Sequence, residues 1–381
     1  MIYLDNQATT ACDPRVVEAM LPYFTEEFGN SSSVSHSFGN RALQAVNLAK
    51  ERIAGLIGAS DPNCIYFTSG ATESNNIAIK SLVTKVPADH HIITTATEHK
   101  AVLDPFEYLE NLGVQTSILP VDEHGCVNPQ ELNSQINDRT SLATVLYANN
   151  EVGSINPISE IADACRNKNV TFHTDATQAI GKTTIHVEEQ GIDMLSLSGH
   201  KIYGPKGIGV LYVRKRGRGL RMTPLLHGGG HQNKIRSGTL PVPLIVGLGK
   251  ACELLTNEHE AVNNQINELA TKLKVGLTER IPEVIFNGHP TNRIAGNLHL
   301  TIPEINSEAL LYSLKDTVAL STGSACTTAA PEPSHVLQAM GINRELISQS
   351  VRIGIGRFNT EQEVDTVSDA IVKAVAEIKA F

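Results

Sequence analysis

No stretch of the sequence reaches the roughly 18 consecutive apolar residues that a membrane-crossing helix needs, and none of the six cysteines stands in a C-x-x-C pair. Cys12, Cys64, Cys126, Cys165, Cys252 and Cys326 are scattered, which argues against a disulfide framework or a zinc knuckle and points to a cytoplasmic protein with mostly buried thiols. Basic charge is not in excess. Lys plus Arg is 31 against 40 for Asp plus Glu, a net charge of −9, so no global basic field exists to hold nucleic acid by its phosphates. The G-x-x-x-x-G-K-[ST] loop is missing, and Gly207-Ile-Gly209 and Gly354-Ile-Gly356 lack the third glycine of a dinucleotide fingerprint. Internal repeats and low-complexity linkers are missing as well. The opening residues Met1 to Asp5 carry neither the charged nor the apolar region of a signal peptide.

What is present is an ordinary globular balance, 41% hydrophobic and 19% charged, over 381 residues. That length suits one large domain and a smaller one. Short apolar or β-branched runs read as strands at Cys64–Phe67, His91–Thr95, Val114–Leu119, Leu142–Ala148, Val170–Thr174, Ile192–Leu197 and Ile208–Val213. Helical runs lie between most of them, including Arg41–Ile57, Thr72–Thr84 and Ile158–Asn167. This alternation predicts an α/β fold with a mostly parallel sheet covered by helices. The Gly/Pro-rich turn between the last two runs holds no helix, so one antiparallel strand is expected. From Pro241 to about Arg280 runs one long helix. A smaller α/β set follows: Asn297–Thr301, Glu308–Lys315, Val318–Thr322, Ser334–Met340, Val351–Ile355 and Glu361–Lys379. The expected division is 16–255 and 256–381, with residues 1–15 packing on the smaller part.

Polar residues cluster where the large-domain strands end. The first strand runs into Ser69-Gly-Ala-Thr-Glu-Ser74, whose small residues open a helix and suit an anion. Others end in Thr97-Glu-His-Lys100, Asn149-Asn-Glu151, Asp175-Ala-Thr-Gln178 and Ser198-Gly-His-Lys201. In an open α/β sheet that edge binds ligands. Each piece alone has a plainer reading: a helix cap at Ala71 and Thr72, a loop histidine at His99, an N-cap at Asp175. A phosphate site, a carboxylate and a lysine together are the kit for pyridoxal phosphate. There lysine forms the Schiff base and the acid holds the pyridinium N–H.

These motifs, with His227-Gly-Gly-Gly-His231, Arg236-Ser-Gly-Thr239 and Gly323-Ser-Ala-Cys326, resemble the NifS/IscS-like cysteine desulfurases. Those are fold-type I pyridoxal phosphate enzymes of the class V aminotransferase group. The resemblance covers nearly the whole chain and implies a large domain with a mostly parallel seven-stranded sheet plus a smaller α/β C-terminal domain. It implies that Lys201 is the Schiff-base lysine, that Asp175 pairs with the ring nitrogen and that Gln178 pairs with the phenolic oxygen. His99 is expected to stack on the ring and shuttle protons. Ala71, Thr72, Ser198 and His200 are expected to hold the phosphate. Thr239 is expected to reach the neighbouring subunit's cofactor in a homodimer. Asn150 and Arg352, helped by Asn30, are expected to bind the carboxylate of L-cysteine. Cys326, in a stretch rich in small residues and Ser/Thr, is expected to attack the substrate sulfur and pass a persulfide to an acceptor protein.

Other patterns carry less. Three glycines between His227 and His231 forbid the rigid helix that would aim both rings at a metal, so no metal is expected. Arg214 to Arg218 reads as a solvated basic turn, with docking of an acidic acceptor or RNA as the sharper alternative. Another class V enzyme, an aminotransferase or a selenocysteine lyase, is the rival reading; it would not need Cys326 in such a stretch. Iron–sulfur assembly, tRNA thiolation and DNA phosphorothioation all remain as destinations for the sulfur. The housekeeping iron–sulfur members run on past Lys379-Ala-Phe381 with a scaffold-docking tail, so the expectation leans to a dedicated system.

Overall fold

The computed structural model describes residues 1–83, 86–215, 222–322 and 333–380. Cys326, and Arg216 to Arg218 of the basic run, lie outside the described residues. The main sheet has seven strands among the described residues, in the order Ile65–Thr68, Gly209–Val213, Met194–Ser198, Thr171–Asp175, Thr140–Thr144, His91–Thr95, Gln115–Leu119. Gly209–Val213 is antiparallel to both its neighbours, and the other pairings are parallel. Helices cover both faces, so His91–Thr95, Met194–Ser198 and Gly209–Val213 are buried throughout and read as mostly apolar or Thr/Ser runs.

The expected strand Leu142–Ala148 is displaced: the ladder covers Thr140–Thr144. Its register against His91–Thr95 slips between His91 and Ile92. Beyond Thr144 the chain still bonds one neighbour, through Val145 N to His173 O at 3.1 Å and Tyr147 N to Asp175 O at 3.0 Å. The apolar run therefore outlasts the ladder. Helix Ser37–Leu56 begins before Arg41, because His36 Nδ1 accepts from Gly39 N at 3.2 Å and caps it. Expected strand Val318–Thr322 shrinks to Val318–Ala319, since its partner is only the two-residue strand Ile2–Tyr3. Strand Ile285–Asn287 had no counterpart in the sequence reading.

Helix Val242–Arg280 spans 39 residues. Its first half packs Ile245, Leu248 and Leu255 into the core beneath the seven-stranded sheet. Its second half packs Ile266, Leu273 and Leu277 into another core with Leu4, Leu298, Leu300 and Val351. That second core lies on an antiparallel sheet ordered Ser350–Gly354, Asn297–Thr301, Ile285–Asn287. Residues 4–13 join the two: Leu4 O accepts from Gly354 N at 2.6 Å, and Thr10 N donates to His200 O at 2.9 Å. Gly209 is required for a close approach, since a Cβ there would stand 2.6 Å from the Gly70 backbone. No helix among the described residues is long and apolar enough to cross a membrane.

Candidate active site

The strand ends surround a cavity of about 590 Å³. It gathers Ala71, Thr72, His99, Asn150, Asp175, Gln178, Ser198, His200, Lys201 and Arg352, ten of the residues singled out in the sequence. Asn30 and Thr239 are exposed and do not line it. Asn30 Oδ1 instead accepts from Ser32 N at 2.9 Å.

One corner is built on helix Ala71–Lys80, which starts at Gly70 with no side chain capping it. Its first N–H groups therefore face the cavity corner shared with Ser198 without a side-chain acceptor, an arrangement suited to a phosphate. Glu73 in that first turn is tied to Arg236 Nε at 2.8 Å. Deeper in, Asp175 ends its strand and is only 3% exposed. Asn75 Nδ2 donates to Asp175 Oδ2 at 2.7 Å, and Thr177 N to Oδ1 at 2.9 Å. Lys201 closes the short turn Gly199–Lys201 after strand Met194–Ser198. Its Nζ donates to the carbonyls of Gln7 and, at 2.7 Å, Ala8. His200 Nδ1 is 3.1 Å from Thr9 Oγ1; burial, then the Lys201 and Lys206 charges, lower its pKa to about 4, so it is neutral.

Gln178 Nε2 donates to Gln7 O at 2.9 Å, and its Oε1 accepts from Lys182 Nζ at 3.0 Å. Burial, then the Lys201 and Arg352 charges, lower the Lys182 pKa to about 7. His99 caps helix Lys100–Asn111 through Nδ1, 3.0 Å from Ala101 N. Burial also lowers the His99 pKa, against the pull of Asp175. Arg352 reaches the Asn150 carbonyl through Nη1 at 3.0 Å and Asp5 Oδ1 through Nη2 at 2.8 Å. The turn that presents Asn150 is made by Asn149, whose Oδ1 accepts from Glu151 N at 2.8 Å and Val152 N at 3.0 Å.

Sequence reasoning missed Asp5, Gln7, Asn75 and Lys182. Asn75 carried a usable signal, four positions after Ala71 and so on the same helix face. Lys182 stands four positions after Gln178. Asp5 had none, because its contact spans 347 positions.

The lining has unused hydrogen-bonding capacity. Thr177 Oγ1 and Arg352 Nε are buried with no partner among the described residues. An uncapped helix end, a buried carboxylate and a lysine amine around one cavity fit pyridoxal phosphate, and the two orphaned groups fit a further polar ligand.

Comparison with known proteins agrees. The family model described as aminotransferase class-V matches residues 2–367. The cysteine desulfurase IscS of Rickettsia peacockii (strain Rustic) is 49% identical over 381 residues, covering 100% of this chain and 92% of that protein. A solved NifS-like protein superposes with a TM-score of 0.90 at 35% identity, over 98% of this chain and 99% of its own. The structure of SspA in complex with cysteine gives 0.83 at 36% identity, over 94% of this chain and 100% of its own. The chain belongs to the class V aminotransferase family and is, within it, a pyridoxal phosphate-dependent cysteine desulfurase.

Proposed function

We propose that Lys201, Asp175 and Arg352 form the working face of this desulfurase and that Cys326 receives the sulfur. The carrying observation is that an amine, a buried carboxylate, a guanidinium and an uncapped helix end open on one cavity. When bound, pyridoxal phosphate supplies an aldehyde that takes an amine and a ring that accepts electrons as the substrate's α-proton leaves. Ala71 and Thr72 N–H groups, Ser198 and His200 would hold its phosphate, with Thr239 of a second copy completing the corner in a homodimer. Asp175, fixed by Asn75, would hold the ring nitrogen, Gln178 would pair with the phenolic oxygen, and His99 would stack on the ring.

Arg352 binds the carboxylate of L-cysteine, with Asn150 and Asn30 beside it. Lys201 Nζ takes the α-proton. The Cys326 thiolate then attacks the substrate sulfur. An S–S bond forms as the Cβ–S bond breaks; Cβ keeps the electron pair and takes a proton, and Lys201 Nζ returns its proton to Cα, giving alanine and a Cys326 persulfide. The described flanks of 323–332 support this role. Ser321 Oγ donates to Asp5 Oδ1 at 3.0 Å beside Arg352, and Ser334 Oγ to Glu151 Oε2 at 2.6 Å beside Asn150. The persulfide passes to an acceptor protein in the cytoplasm, a setting that suits the free thiols of Cys12, Cys64, Cys126, Cys165 and Cys252. Residues 16–255 and 256–381 act as two units; the two separate cores support that division.

The test is direct. Incubated with L-cysteine and a reductant, the purified protein should release alanine and sulfide in equal amounts. Amino transfer to a keto acid in place of that pair would count against the reading.

A further inference from the structure

The ring of His99 is gripped at one nitrogen. His99 is extended at φ −67°, ψ 149° and precedes helix Lys100–Asn111, and its Nδ1 lies 3.0 Å from Ala101 N. A backbone N–H only donates. Nδ1 must therefore accept, with its lone pair and without a proton. A neutral imidazole carries its single proton on one nitrogen or the other. We infer that His99 is locked as the Nε2–H tautomer, so that its free nitrogen is a hydrogen-bond donor and not a base.

Two costs maintain the lock. Moving the proton to Nδ1 sets N–H against N–H and strips the helix of its cap. Forming the imidazolium does the same and also places a charge in a half-buried position. Lys201 and His335 oppose that charge; Asp175 and Asp104 favour it; burial outweighs them. His335 is itself engaged, with Nε2 2.9 Å from Glu98 O.

The consequence departs from the sequence expectation of a proton shuttle. A histidine whose only lone pair caps a helix does not remove the α-proton of an amino acid. That leaves the Lys201 amine as the base and gives His99 the task of donating to negative charge that develops on the substrate, its sulfur included. This assignment of tasks rests on the desulfurase mechanism proposed above; the tautomer does not.

The experiment is a long-range proton–nitrogen correlation spectrum of protein labelled with ¹⁵N-histidine, recorded with and without cofactor. The His99→Asn variant identifies the signal, since the asparagine oxygen can still cap the helix. The expected result is a pyridine-like Nδ1 and a protonated Nε2, unchanged between about pH 6 and pH 8. A proton on Nδ1, a mixture of tautomers, or conversion to imidazolium within that span overturns the inference. A protein that keeps the Nε2–H form but makes no alanine from cysteine would defeat the proposed function and leave the tautomer standing.

Discussion

Arg352 Nη2 donates to Asp5 Oδ1 at 2.8 Å, joining the N-terminal segment to a strand 347 positions away. Nη1 is held by the Asn150 carbonyl at 3.0 Å, while Nε is buried and without a partner among the described residues. The guanidinium is thus oriented before substrate arrives and keeps a donor in reserve. Arg357, three residues past the end of that strand, is engaged instead by Asp13 Oδ2 at 3.0 Å and Glu258 Oε2 at 3.3 Å.

Arg352→Lys preserves the charge and loses the planar fork. The expected outcome is a rise in KM for L-cysteine of about tenfold or more, the order of one charge-assisted hydrogen bond. Cofactor occupancy should change little. Steady-state kinetics beside the absorbance of the bound cofactor separates the two. An unchanged KM would move carboxylate binding to another residue.

Asn75→Ala removes the amide that holds Asp175 Oδ2 at 2.7 Å. Both groups are buried, so a charged acceptor loses a donor, at about 1.5–3 kcal/mol. Cofactor affinity should fall by about ten- to a hundredfold, which titration of cofactor-free protein would read. Wild-type affinity would mean that Thr177 N alone fixes the carboxylate.

Lys182 makes a pH prediction. Its pKa falls from 10.5 to about 7 on folding, through burial first and then the Lys201 and Arg352 charges. Between those values the unfolded chain holds a proton that the folded chain does not, so raising pH through that window favours folding. Below the lower value both states are protonated and the whole penalty is present, on the order of 5 kcal/mol. Lys182→Met in the cofactor-free protein should therefore be stabilised relative to wild type near pH 6, by that amount less the lost Gln178 bond. The advantage should shrink toward the upper end of the window. Urea unfolding at several pH values measures it, and a difference that stays constant would contradict a half-buried, titrating ammonium.

The strands were legible because they are buried on both faces and leave apolar runs between turn residues, as at Met194–Ser198 and Gly209–Val213. The cavity was legible because chemistry-bearing side chains recur at strand ends, from Asp175 to Lys201. Length was less legible than position: Val145 to Ala148 stay apolar past the point where the ladder on one side stops. Ile285–Asn287 escaped notice because it is three residues long with its first side chain exposed. Asp5 escaped because nothing local marks a partner so distant. The helix cap made by His99 escaped as well, because histidine is not among the preferred helix caps.

Lys201→Ala should abolish turnover, and neither Arg nor Gln at this position should restore it, since neither offers a primary amine to the aldehyde. Borohydride treatment of the wild type should fix the cofactor's mass on the Lys201 peptide. The variant should show no such gain. Normal turnover by Lys201→Ala would remove this residue from the chemistry.

Transfer of sulfur to Cys326 is the central claim. A serine hydroxyl is a poor nucleophile at neutral pH, whereas even an unperturbed cysteine is a few per cent thiolate. Cys326→Ser should keep its cofactor and bind L-cysteine, yet make almost no alanine. Among the other cysteines, Cys165 and Cys252 are buried, with pKa values pushed up to about 12 by burial, so neither is a ready nucleophile. The deciding measurement is peptide mass spectrometry of the wild-type enzyme after brief exposure to L-cysteine. The account predicts one added sulfur atom on the peptide that contains Cys326. An added sulfur on any other cysteine, or alanine released by Cys326→Ser at the wild-type rate, would contradict it.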